Sequence, residues 1–452
     1  MIVDTPSELH FAHAGGAERK TQIVIVGGGA AGLELAARLG RRYGRKHHDI
    51  ILVERNRTHI WKPLLHEVAT GALDANIDEV GYRAHCHRFG YRFFNGSLES
   101  VDTEARRIHL APLIEGDREI IARHSLRYDY LVLAYGSVTN DFGTPGVSEY
   151  CLALDSREDA DRFRNSLINQ CLRVSRSMLI DPGGDARVRI SIVGAGATGV
   201  ELAAELYNAA NALAFYGLEV FDGRRLEVSL IEAGPRILPA LPERLAAAAH
   251  KELEKLGVRV LTGTAVTRVT QAGIEAANGD VIPADLKIWA AGVKATPIRG
   301  TLGHLEVSRN GQILTTDTLQ TRSDPRIFAI GDCASCTPAG RDSPVPPRAQ
   351  AAHQMATHTF RNLGLLMAGR SLKPFVYRDK GSLVSLSRFS TVGSLMGSLV
   401  GGSLAIEGRL ARLVYTSLYH MHLIAIHGWP RGIALIAFGR VHSILRPRLK
   451  LH

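Results

Sequence analysis

The sequence has 452 residues, which is too long for one hydrophobic core, and its 45% hydrophobic and 22% charged residues exclude a disordered chain. Its five cysteines exclude a disulfide framework and favour a reducing compartment. The formal net charge of +10 favours an anionic partner, but it does not distinguish a nucleic acid from an anionic membrane.

The N-terminal segment, Met1 to Lys20, is polar and precedes the first apolar run of the chain. It lacks the basic start, the apolar stretch and the small-residue cleavage site that mark a secretory signal peptide. We therefore expect the body of the protein to stay in the cytoplasm.

A first nucleotide-binding pattern begins at Gln22. The apolar run at residues 22–26 is typical of a buried parallel strand, a glycine-rich turn at residues 27–32 follows it, and residues 33–43 have helical spacing. The next apolar run ends in Glu54. In such a turn the first glycine allows the tight bend, the second lets the backbone approach a pyrophosphate, and the third lets helix and strand pack closely. The candidate residues are Gly27, Gly29, Ala31, Gly32 and Glu54.

The same pattern occurs a second time. The apolar run at residues 189–193 leads into a turn at residues 194–199, a helix is predicted from Val200, and the run at residues 228–231 ends in Glu232. One glycine motif is a weak signal, but two copies in the same strand–turn–helix–strand–acid order strongly indicate two dinucleotide sites. The candidate residues of the second site are Gly194, Gly196, Thr198, Gly199 and Glu232.

The acidic residue of the second copy also predicts nucleotide specificity. An acid at this position accepts hydrogen bonds from a ribose diol, and the carboxylate of Glu232 would repel a 2′-phosphate. The sequence therefore predicts NADH rather than NADPH. Because Arg236 lies four residues further on, acceptance of a 2′-phosphate stays open.

Each copy has a return strand that ends in small residues. Residues 130–136 close the first copy and residues 287–292 close the second, with Ala134, Gly136 and Gly292 as candidate site residues. We expect the chain to cross between domains at these turns, so that the second copy is inserted into the first.

A further glycine signal follows the insertion. A turn at residues 323–325 leads into a strand at residues 327–330, which ends in Gly331-Asp332. This pattern resembles the two-dinucleotide-binding-domain flavoproteins, in which the Gly-Asp pair holds the ribityl chain and pyrophosphate of FAD. The resemblance implies that the first turn and Asp332 bind non-covalent FAD, that the second turn binds NADH, and that hydride passes from nicotinamide to flavin.

The cysteines argue against a disulfide reductase. Residues 55–71, where such enzymes carry their redox pair, contain no cysteine. Cys333 and Cys336 have C-x-x-C spacing, which occurs in redox dithiols and in half of a zinc site, but no second pair completes a zinc site. We expect them to lie on a helix beside the cofactor in a structural role, and we expect no bound metal.

Three further segments narrow the family. Residues 345–356, 61–71 and 380–386 are similar to bacterial type II NADH dehydrogenases, and the match extends through residues 446–452. The resemblance covers nearly the whole chain. It implies a non-proton-pumping NADH:quinone oxidoreductase with ping-pong turnover, which works as a homodimer on the cytoplasmic face of the inner (plasma) membrane and reduces ubiquinone or menaquinone.

The implied fold is α/β, with two Rossmann-type dinucleotide-binding domains and a C-terminal membrane-associating region. The FAD domain is predicted in two parts, at residues 19–155 and 290–375. The NADH domain is predicted at residues 156–289, inserted in the FAD domain, and the membrane-anchoring region at residues 376–452.

The same resemblance implies a quinone site. Ala349, Gln350, Ala352 and Gln354 match a motif that lines the quinone tunnel against the flavin, which makes Ala349 and Gln350 candidates for contact with FAD. Gln350 and Gln354 lie one helical turn apart, so both amides can donate to quinone carbonyls. Alternatively, a glutamine only satisfies backbone groups near the flavin. That alternative is stronger for Gln350, so Gln354 is the better quinone candidate.

Three charged residues are further candidates. An acid near a helix start, such as Glu201, is ordinary on dipole grounds, but the resemblance implies that Glu201 lies where nicotinamide meets flavin. Lys380 resembles a lysine near the flavin or quinone, although a solvated lysine is equally open, and Lys62 is a weaker FAD candidate of the same kind. Four histidines are interpreted as structural: His66, His353, His420 and His422.

Two apolar stripes with helical spacing occupy the C-terminus. The first runs from Leu410 to Ala425, the second from Ile433 to Leu445, and the segment at residues 428–430 separates them. No segment is long and apolar enough to span a membrane. We interpret the pair as amphipathic helices on an anionic membrane surface, or alternatively as a dimerisation or core-packing pair. The basic residues nearby are Arg431, Arg440, Arg446, Arg448 and Lys450.

Two other functions stay open. A sulfide:quinone reductase would use Cys151 and Cys333 as its thiols, and the intact second glycine motif with Glu232 argues against it. A redox-regulated nucleic-acid-binding flavoprotein would explain the net charge of +10. We favour the membrane reading of that charge and expect no nucleic-acid partner.

Overall fold

A computed structural model of the protein describes residues 7–8, 19–44, 47–73, 79–213, 223–385, 391–397 and 402–445. Most of the N-terminal segment and residues 446–452, on which parts of the signal-peptide and membrane predictions fall, lie outside these residues. So do Lys450, Arg446 and Arg448 among the predicted basic residues, and only the backbone is described for Arg440.

The chain forms two compact units. Unit 1 comprises Met1–Ile60, Glu79–Val138 and Lys294–Arg378, and unit 2 comprises Trp61–Asp78, Thr139–Val293 and Asp379–His452. The unit boundaries do not coincide with the predicted domain boundaries, because Trp61–Asp78 and Asp379–His452 group with the second glycine motif. The predicted domains concern cofactor binding and stay a prediction.

The strands of the described residues are, in chain order, β1 (Ser7–Glu8), β2 (Thr21–Val26), β3 (His48–Glu54), β4 (Thr58–His59), β5 (Val80–Gly81), β6 (Arg92–Asn95), β7 (Leu98–Asp102), β8 (Arg107–Leu110), β9 (Leu113–Glu115), β10 (Arg118–Ile121), β11 (His124–Arg127), β12 (Tyr130–Leu133), β13 (Ser137–Thr139), β14 (Val188–Val193), β15 (Leu226–Ile231), β16 (Arg259–Leu261), β17 (Val266–Val269), β18 (Gly273–Ala276), β19 (Val281–Pro283), β20 (Leu286–Trp289), β21 (Val293–Ala295), β22 (Ile313–Leu314), β23 (Ile327–Ala329), β24 (Ala334–Ser335), β25 (Gly381–Ser385), β26 (Thr391–Gly397) and β27 (Gly402–Glu407).

The α-helices of the described residues are α1 (Ala30–Tyr43), α2 (Leu65–Thr70), α3 (Tyr82–Phe89), α4 (Val147–Tyr150), α5 (Arg157–Ile180), α6 (Ala197–Leu213), α7 (Glu243–Leu256), α8 (Ala349–Met367), α9 (Gly408–His427) and α10 (Trp429–Leu445). Single 3₁₀ turns lie at Lys62–Leu64, Gly223–Arg225 and Gly331–Cys333.

Unit 1 is built on a parallel sheet of strand order β23-β12-β2-β3-β6. This is the order of a Rossmann fold, in which the chain reverses direction across the sheet beside the first strand. The central strands are continuous apolar runs with side chains buried on both faces, as parallel sheets require. The strand, helix and return strand predicted from residue 22 onward are confirmed.

Unit 2 repeats this plan with a parallel sheet of order β16-β15-β14-β20. An antiparallel meander, β17-β18-β19, packs an apolar cluster against the sheet, and Trp289 at the end of β20 belongs to that cluster. The second predicted strand–helix–strand pattern and its return strand are therefore confirmed as well. Both glycine turns lie at the carboxyl ends of their first strands, where open α/β sheets bind ligands.

The C-terminal part of unit 2 consists of the antiparallel sheet β25-β26-β27 followed by α9 and α10. The predicted break between the helices is confirmed at Gly428, whose φ is +82°. A Cβ on Gly432 would lie 2.7 Å from the Ile424 side chain, so the two helices meet closely at this point. Among the helices of the described residues, none is long and apolar enough to cross a membrane.

Candidate functional site

The first and third glycines of the first turn are required by sterics. Gly27 has a φ of +105°, and a Cβ on it would lie 2.2 Å from the Ala134 carbonyl oxygen at the end of β12. A Cβ on Gly32 would lie 1.9 Å from the Gly27 oxygen. Only glycine allows strand, turn and helix α1 to approach so closely.

The second turn repeats this geometry. Gly194 has a φ of +101°, and a Cβ on it would lie 2.7 Å from the Ala291 Cα beyond the end of β20. A Cβ on Gly199 would lie 2.0 Å from the Gly194 oxygen. The two turns therefore share the positive φ of their first glycine and the close approach of their third glycine to the first. Thr198 is exposed in the first turn of α6.

The two acidic residues are held in the same way. Glu54 Oε2 accepts from Gly28 N at 2.7 Å and its Oε1 accepts from Asn56 N at 3.0 Å. Glu232 Oε2 accepts from Ala195 N at 2.8 Å and its Oε1 accepts from Gly234 N at 2.8 Å. A carboxylate has about four lone-pair sites, so each acid keeps acceptor capacity for a ribose diol.

The middle glycine of each turn leaves space for a ligand. No protein atom lies within 4 Å of a Cβ built on Gly29 or on Gly196. Gly29 is the N-cap of α1, and no side chain caps that helix. Open space beside a helix N-terminus fits the pyrophosphate of a dinucleotide, so the residues of both turns fit such a group.

In unit 1, three predicted segments converge beside the first turn. Gly331 has a φ of +71°, and a Cβ on it would lie 3.7 Å from the Ala31 Cβ and 3.8 Å from the Ala352 Cβ. The next residue, Asp332, accepts from Ser137 Oγ at 2.8 Å. The predicted FAD segments thus meet around one point of the fold, and Gly136, with a φ of +73°, lies just before Ser137.

A buried carboxylate joins α8, which begins at Ala349, to α1. Glu34 is 1% exposed and pairs with Arg38 at 2.7 Å on its own helix. The ring nitrogen Nδ1 of His353 also bonds to Glu34, and Thr357 Oγ donates to it at 3.4 Å. The structural role predicted for His353 agrees with this network. The network holds α8, which carries Gln350 and Gln354, against α1, which follows the first glycine turn.

The side-chain amide of Gln354 is paired with backbone. Its Nε2 donates to the Arg378 oxygen at 2.8 Å, and its Oε1 accepts from Arg378 N at 3.0 Å. The backbone-supporting role, which the sequence favoured for Gln350, is therefore the contact that Gln354 makes. A primary amide has two N–H donors and two lone pairs, so Gln354 keeps one of each for a ligand, and its quinone role stays a prediction.

Glu201 and two of the predicted lysines lie in unit 2. Glu201 is 6% exposed, and its Oε2 lies 3.5 Å from Nδ1 of His66 on α2. Burial lowers the pKa of His66 to about 4, so His66 is neutral at pH 7. Lys62 donates to Asp155 at 3.0 Å, and Lys380 is exposed just before β25. The cofactor roles of these residues stay predictions.

The contact between His66 and Glu201 was missed by the sequence analysis, which interpreted His66 as structural. The two residues are far apart in the chain, and no spacing pattern connects them. They meet because α2 packs against α5 and α6, and only the tertiary structure supplies that packing.

Arg236 is engaged by backbone. Its guanidinium donates to the carbonyl oxygens of Leu241 at 2.9 Å, Pro239 at 3.0 Å and Leu238 at 3.4 Å. These bonds hold the loop that follows the second acid. Three of the five guanidinium N–H donors are used in this way, so acceptance of a 2′-phosphate stays open.

The position predicted for the cysteine pair is wrong. Cys333 ends a single 3₁₀ turn, and the chain then extends into β24, which pairs with β22, so the pair does not lie on a helix. Both thiols are buried, and burial raises the pKa of Cys333 to about 12. Burial also raises the pKa of Cys151 to about 12. None of these features supports reactive thiols of a sulfide:quinone reductase.

No group of three or more histidine, cysteine or acidic side chains that could hold a metal ion occurs in the described part of the chain.

Comparisons with known proteins agree with this geometry. The family of pyridine nucleotide-disulphide oxidoreductases matches residues 21–356. A type II NADH:quinone oxidoreductase of Haemophilus influenzae is 45% identical over 95% of this chain and 99% of its own length. One from Mycobacterium tuberculosis is 28% identical over 90% of this chain and 85% of its own length.

The fold is also shared with solved structures. The structure of NDH2 from Plasmodium falciparum in complex with NADH aligns with a TM-score of 0.77 at 19% identity, over 96% of this chain and 100% of that one. At this identity the likeness concerns the fold alone. Identity over nearly the full length of both chains, together with the family match, shows that the chain belongs to the type II NADH:quinone oxidoreductases, which are FAD-dependent NADH dehydrogenases.

Proposed function

We propose that the turn at residues 27–32, with Glu54 and Asp332, holds FAD, and that the turn at residues 194–199, with Glu232, holds NADH. The carrying observation is that one glycine-turn geometry, with a carboxylate accepting from two backbone N–H groups, occurs in both sheets. When bound, FAD accepts the hydride of NADH and supplies two electrons to quinone. NADH binds and leaves as NAD⁺ before quinone reacts, in ping-pong order.

The protein's own residues bind and select the dinucleotide. The remaining lone pairs of the Glu232 carboxylate accept hydrogen bonds from the two hydroxyl groups of the adenosine ribose. A 2′-phosphate would place its negative charge against this carboxylate, and the two charges repel each other. Arg236 holds the neighbouring loop through three carbonyl oxygens. The repulsion favours NADH over NADPH.

Glu232→Gln tests this assignment. Purified protein should oxidise NADH in a quinone-dependent reaction, and the variant should raise KM for NADH about ten- to a hundred-fold, because a charge-assisted hydrogen bond of about 1.5–3 kcal/mol is lost. The ratio of kcat/KM for NADH to that for NADPH should fall, because the repulsive charge is gone. Steady-state kinetics with both nucleotides measure this.

Glu227→Gln is the matched control, since Glu227 lies on the same strand, β15, and pairs on the surface with Arg187 and Arg189. It should leave KM and the nucleotide preference unchanged. An unchanged preference in Glu232→Gln would place nucleotide selection elsewhere in the protein.

Glu201 is proposed as a residue at the nicotinamide end of the NADH site. Its support is its burial and its place on α6, the helix that begins in the second glycine turn. Its Oε2 lies 3.5 Å from Nδ1 of His66, so the carboxyl group has a ring nitrogen as a neighbour close to that turn. Lys62 and Lys380 are proposed, on the family resemblance, as cations that favour the anionic reduced flavin.

Gln350 and Gln354 are proposed to donate hydrogen bonds to quinone. Gln354→Leu should slow quinone reduction about tenfold, the effect of one lost hydrogen bond of about 1–1.5 kcal/mol. Flavin reduction by NADH should stay nearly unchanged. Stopped-flow absorbance separates the two half-reactions.

Gln350→Leu serves as the comparison for Gln354→Leu, because Gln350 lies one turn earlier on α8. The contacts with Arg378 predict that Gln354→Leu also lowers the melting temperature. If Gln354→Leu slows both half-reactions equally, then Gln354 supports the flavin and not the quinone.

We also propose that unit 2 binds the cytoplasmic face of the membrane peripherally, where its quinone substrate is dissolved. Four large apolar side chains of α10 are exposed, and Arg431 is exposed among them. An apolar surface with a cation nearby fits an anionic lipid surface. The homodimer that the family resemblance implies stays a prediction.

A further inference from the structure

The loop between β13 and α4 holds an aromatic side chain in an unusual conformation. Phe142 has a φ of +52°, in the left-handed region that residues other than glycine rarely adopt. Its side chain is 65% exposed. The backbone conformation costs free energy, and an exposed ring gains little from the hydrophobic effect. Strained residues of this kind cluster at ligand sites. The strain and exposure of Phe142 therefore indicate a role in function and not in the stability of the fold.

The loop is fixed in place by hydrogen bonds. Asn140 Oδ1 accepts from Phe142 N at 3.0 Å, which holds the strained turn. The backbone carbonyl oxygen of Asn140 accepts from Nε1 of the buried Trp289 at 2.8 Å. The backbone N–H of Asn140 donates to the carbonyl oxygen of Gly292 at 3.3 Å. The position of Phe142 is therefore set by the end of β20.

The ring lies directly over Gly292. A Cβ on Gly292 would lie 2.5 Å from Cζ of Phe142, and Gly292 itself has a φ of +64°. Just before it, the Ala291 backbone touches Gly194, the first glycine of the second turn. Phe142 is thus one residue away from the backbone that packs on the proposed pyrophosphate site.

Strand order decides which half of a dinucleotide would meet this ring. The order is β16-β15-β14-β20. Glu232, which would accept the adenosine ribose, follows β15, and the turn for the pyrophosphate follows β14. A ligand that continues in the same direction across the carboxyl ends brings its nicotinamide half toward β20, which is the strand whose end carries Gly292 and Phe142.

We infer that Phe142 is a binding residue for the nicotinamide nucleoside of NADH, with its ring as an apolar wall for that half of the ligand. This inference rests on the proposed placement of NADH at the second turn. Nicotinamide is a flat aromatic ring, which a phenyl ring contacts favourably. The pyridinium of NAD⁺ gains in addition from the electron-rich face of the ring, so Phe142 contributes to binding of the product as well.

The test compares Phe142→Ala with wild type in binding NADH, NAD⁺ and ADP-ribose, which has the adenosine and pyrophosphate but no nicotinamide. KM for NADH and the inhibition constant for NAD⁺ should rise roughly five- to a hundred-fold, the range of an aromatic stack. The inhibition constant for ADP-ribose and the FAD content should not change. Phe142→Tyr, which keeps the ring, should restore KM.

Phe142→Gly separates a role of the ring in binding NADH from a role in folding. Glycine adopts a φ of +52° without strain, so the melting temperature should stay or rise while NADH binding weakens. The inference would be overturned by a lower melting temperature of Phe142→Gly. It would also be overturned if Phe142→Ala left KM for NADH unchanged, or if it weakened ADP-ribose binding as much as NADH binding. If Glu232→Gln also leaves NADH binding unchanged, the proposed function fails; if Glu232→Gln acts as expected, only the inference about Phe142 fails.

Discussion

Gly32→Ala should yield a protein that no longer retains FAD and that has lost at least about a hundredfold in quinone-dependent NADH oxidation. The added Cβ would lie 1.9 Å from the Gly27 carbonyl oxygen, and no flexible side chain can yield there because the contact is backbone. Helix α1 must move away from the first glycine turn, and a displaced turn loses its pyrophosphate contacts. A loss of about 2.7 kcal/mol in cofactor binding is already a hundredfold. FAD released by denaturation and NADH oxidation rates measure the effect.

Gly199→Ala is the matched variant, since its Cβ would lie 2.0 Å from the Gly194 oxygen in the second turn. It should keep FAD and lose flavin reduction by NADH. Gly29→Ala is the control for alanine itself: it meets no protein atom within 4 Å and should fold normally. If Gly199→Ala loses FAD and Gly32→Ala keeps it, the two cofactor assignments are reversed.

The two glycine turns could be predicted because each is a local steric requirement within a few residues of the chain. The first glycine must have a positive φ and the third must touch the first, whatever the rest of the fold does. The parallel arrangement of these strands followed from the same motif, since a strand–turn–helix–strand unit closes into a parallel sheet with right-handed connections.

The contacts that support the site depend on tertiary packing, and the sequence does not contain them as a pattern. The pairing of Glu34 with His353 and of Gln354 with the Arg378 backbone joins segments that only the fold brings together. The residues around Phe142, from Asn140 to Pro145, indicate a turn. They do not indicate that Phe142 adopts the left-handed backbone or that its ring lies against Gly292.

The error over the cysteine pair has a similar origin. The strand that ends at Gly331-Asp332 was expected to lead into a helix, as the two glycine-rich turns do. Instead the chain makes one 3₁₀ turn and enters β24, because a parallel pairing with β22 takes up its backbone groups. Only the strand pairing distinguishes these outcomes, and β22 lies outside the motif.

The C-terminal helices show where periodicity fails. Three exposed apolar residues of α10 are not members of the predicted stripe, namely Trp429, Leu435 and Phe438. The members of that stripe are Ile433, Ile436, Ala437, Val441, Ile444 and Leu445. Helix α10 contacts α9 at the face that carries Gly432. Apolar residues on the other faces of α10 are therefore left exposed. A surface of this kind, which no protein segment of the described residues covers, fits insertion into lipid better than a single dimerisation stripe.

Replacing the exposed apolar residues of α10 with serine should release the protein from membranes. The four positions are Trp429, Ile433, Leu435 and Phe438, which are 69%, 50%, 43% and 74% exposed. Burying the exposed part of each side chain in lipid contributes roughly 1–2 kcal/mol, so removing all four weakens partition about a thousandfold or more. The variant keeps Gly432 and therefore the contact with α9. Sedimentation with vesicles containing anionic lipid measures the bound fraction.

The matched control replaces Leu179 and Ile180, which are 69% and 78% exposed at the end of α5, with serine. It should leave vesicle binding unchanged, which separates α10 from exposed apolar surface in general. High salt should release only part of the wild-type protein, because it screens the cations and not the apolar contact. The α10 variant should keep FAD and its reduction by NADH, and it should lose more activity with a lipid-soluble quinone than with a small soluble acceptor. A variant that still sediments with vesicles would show that the membrane contact lies elsewhere, and one that aggregates without FAD would show that α10 is part of the core.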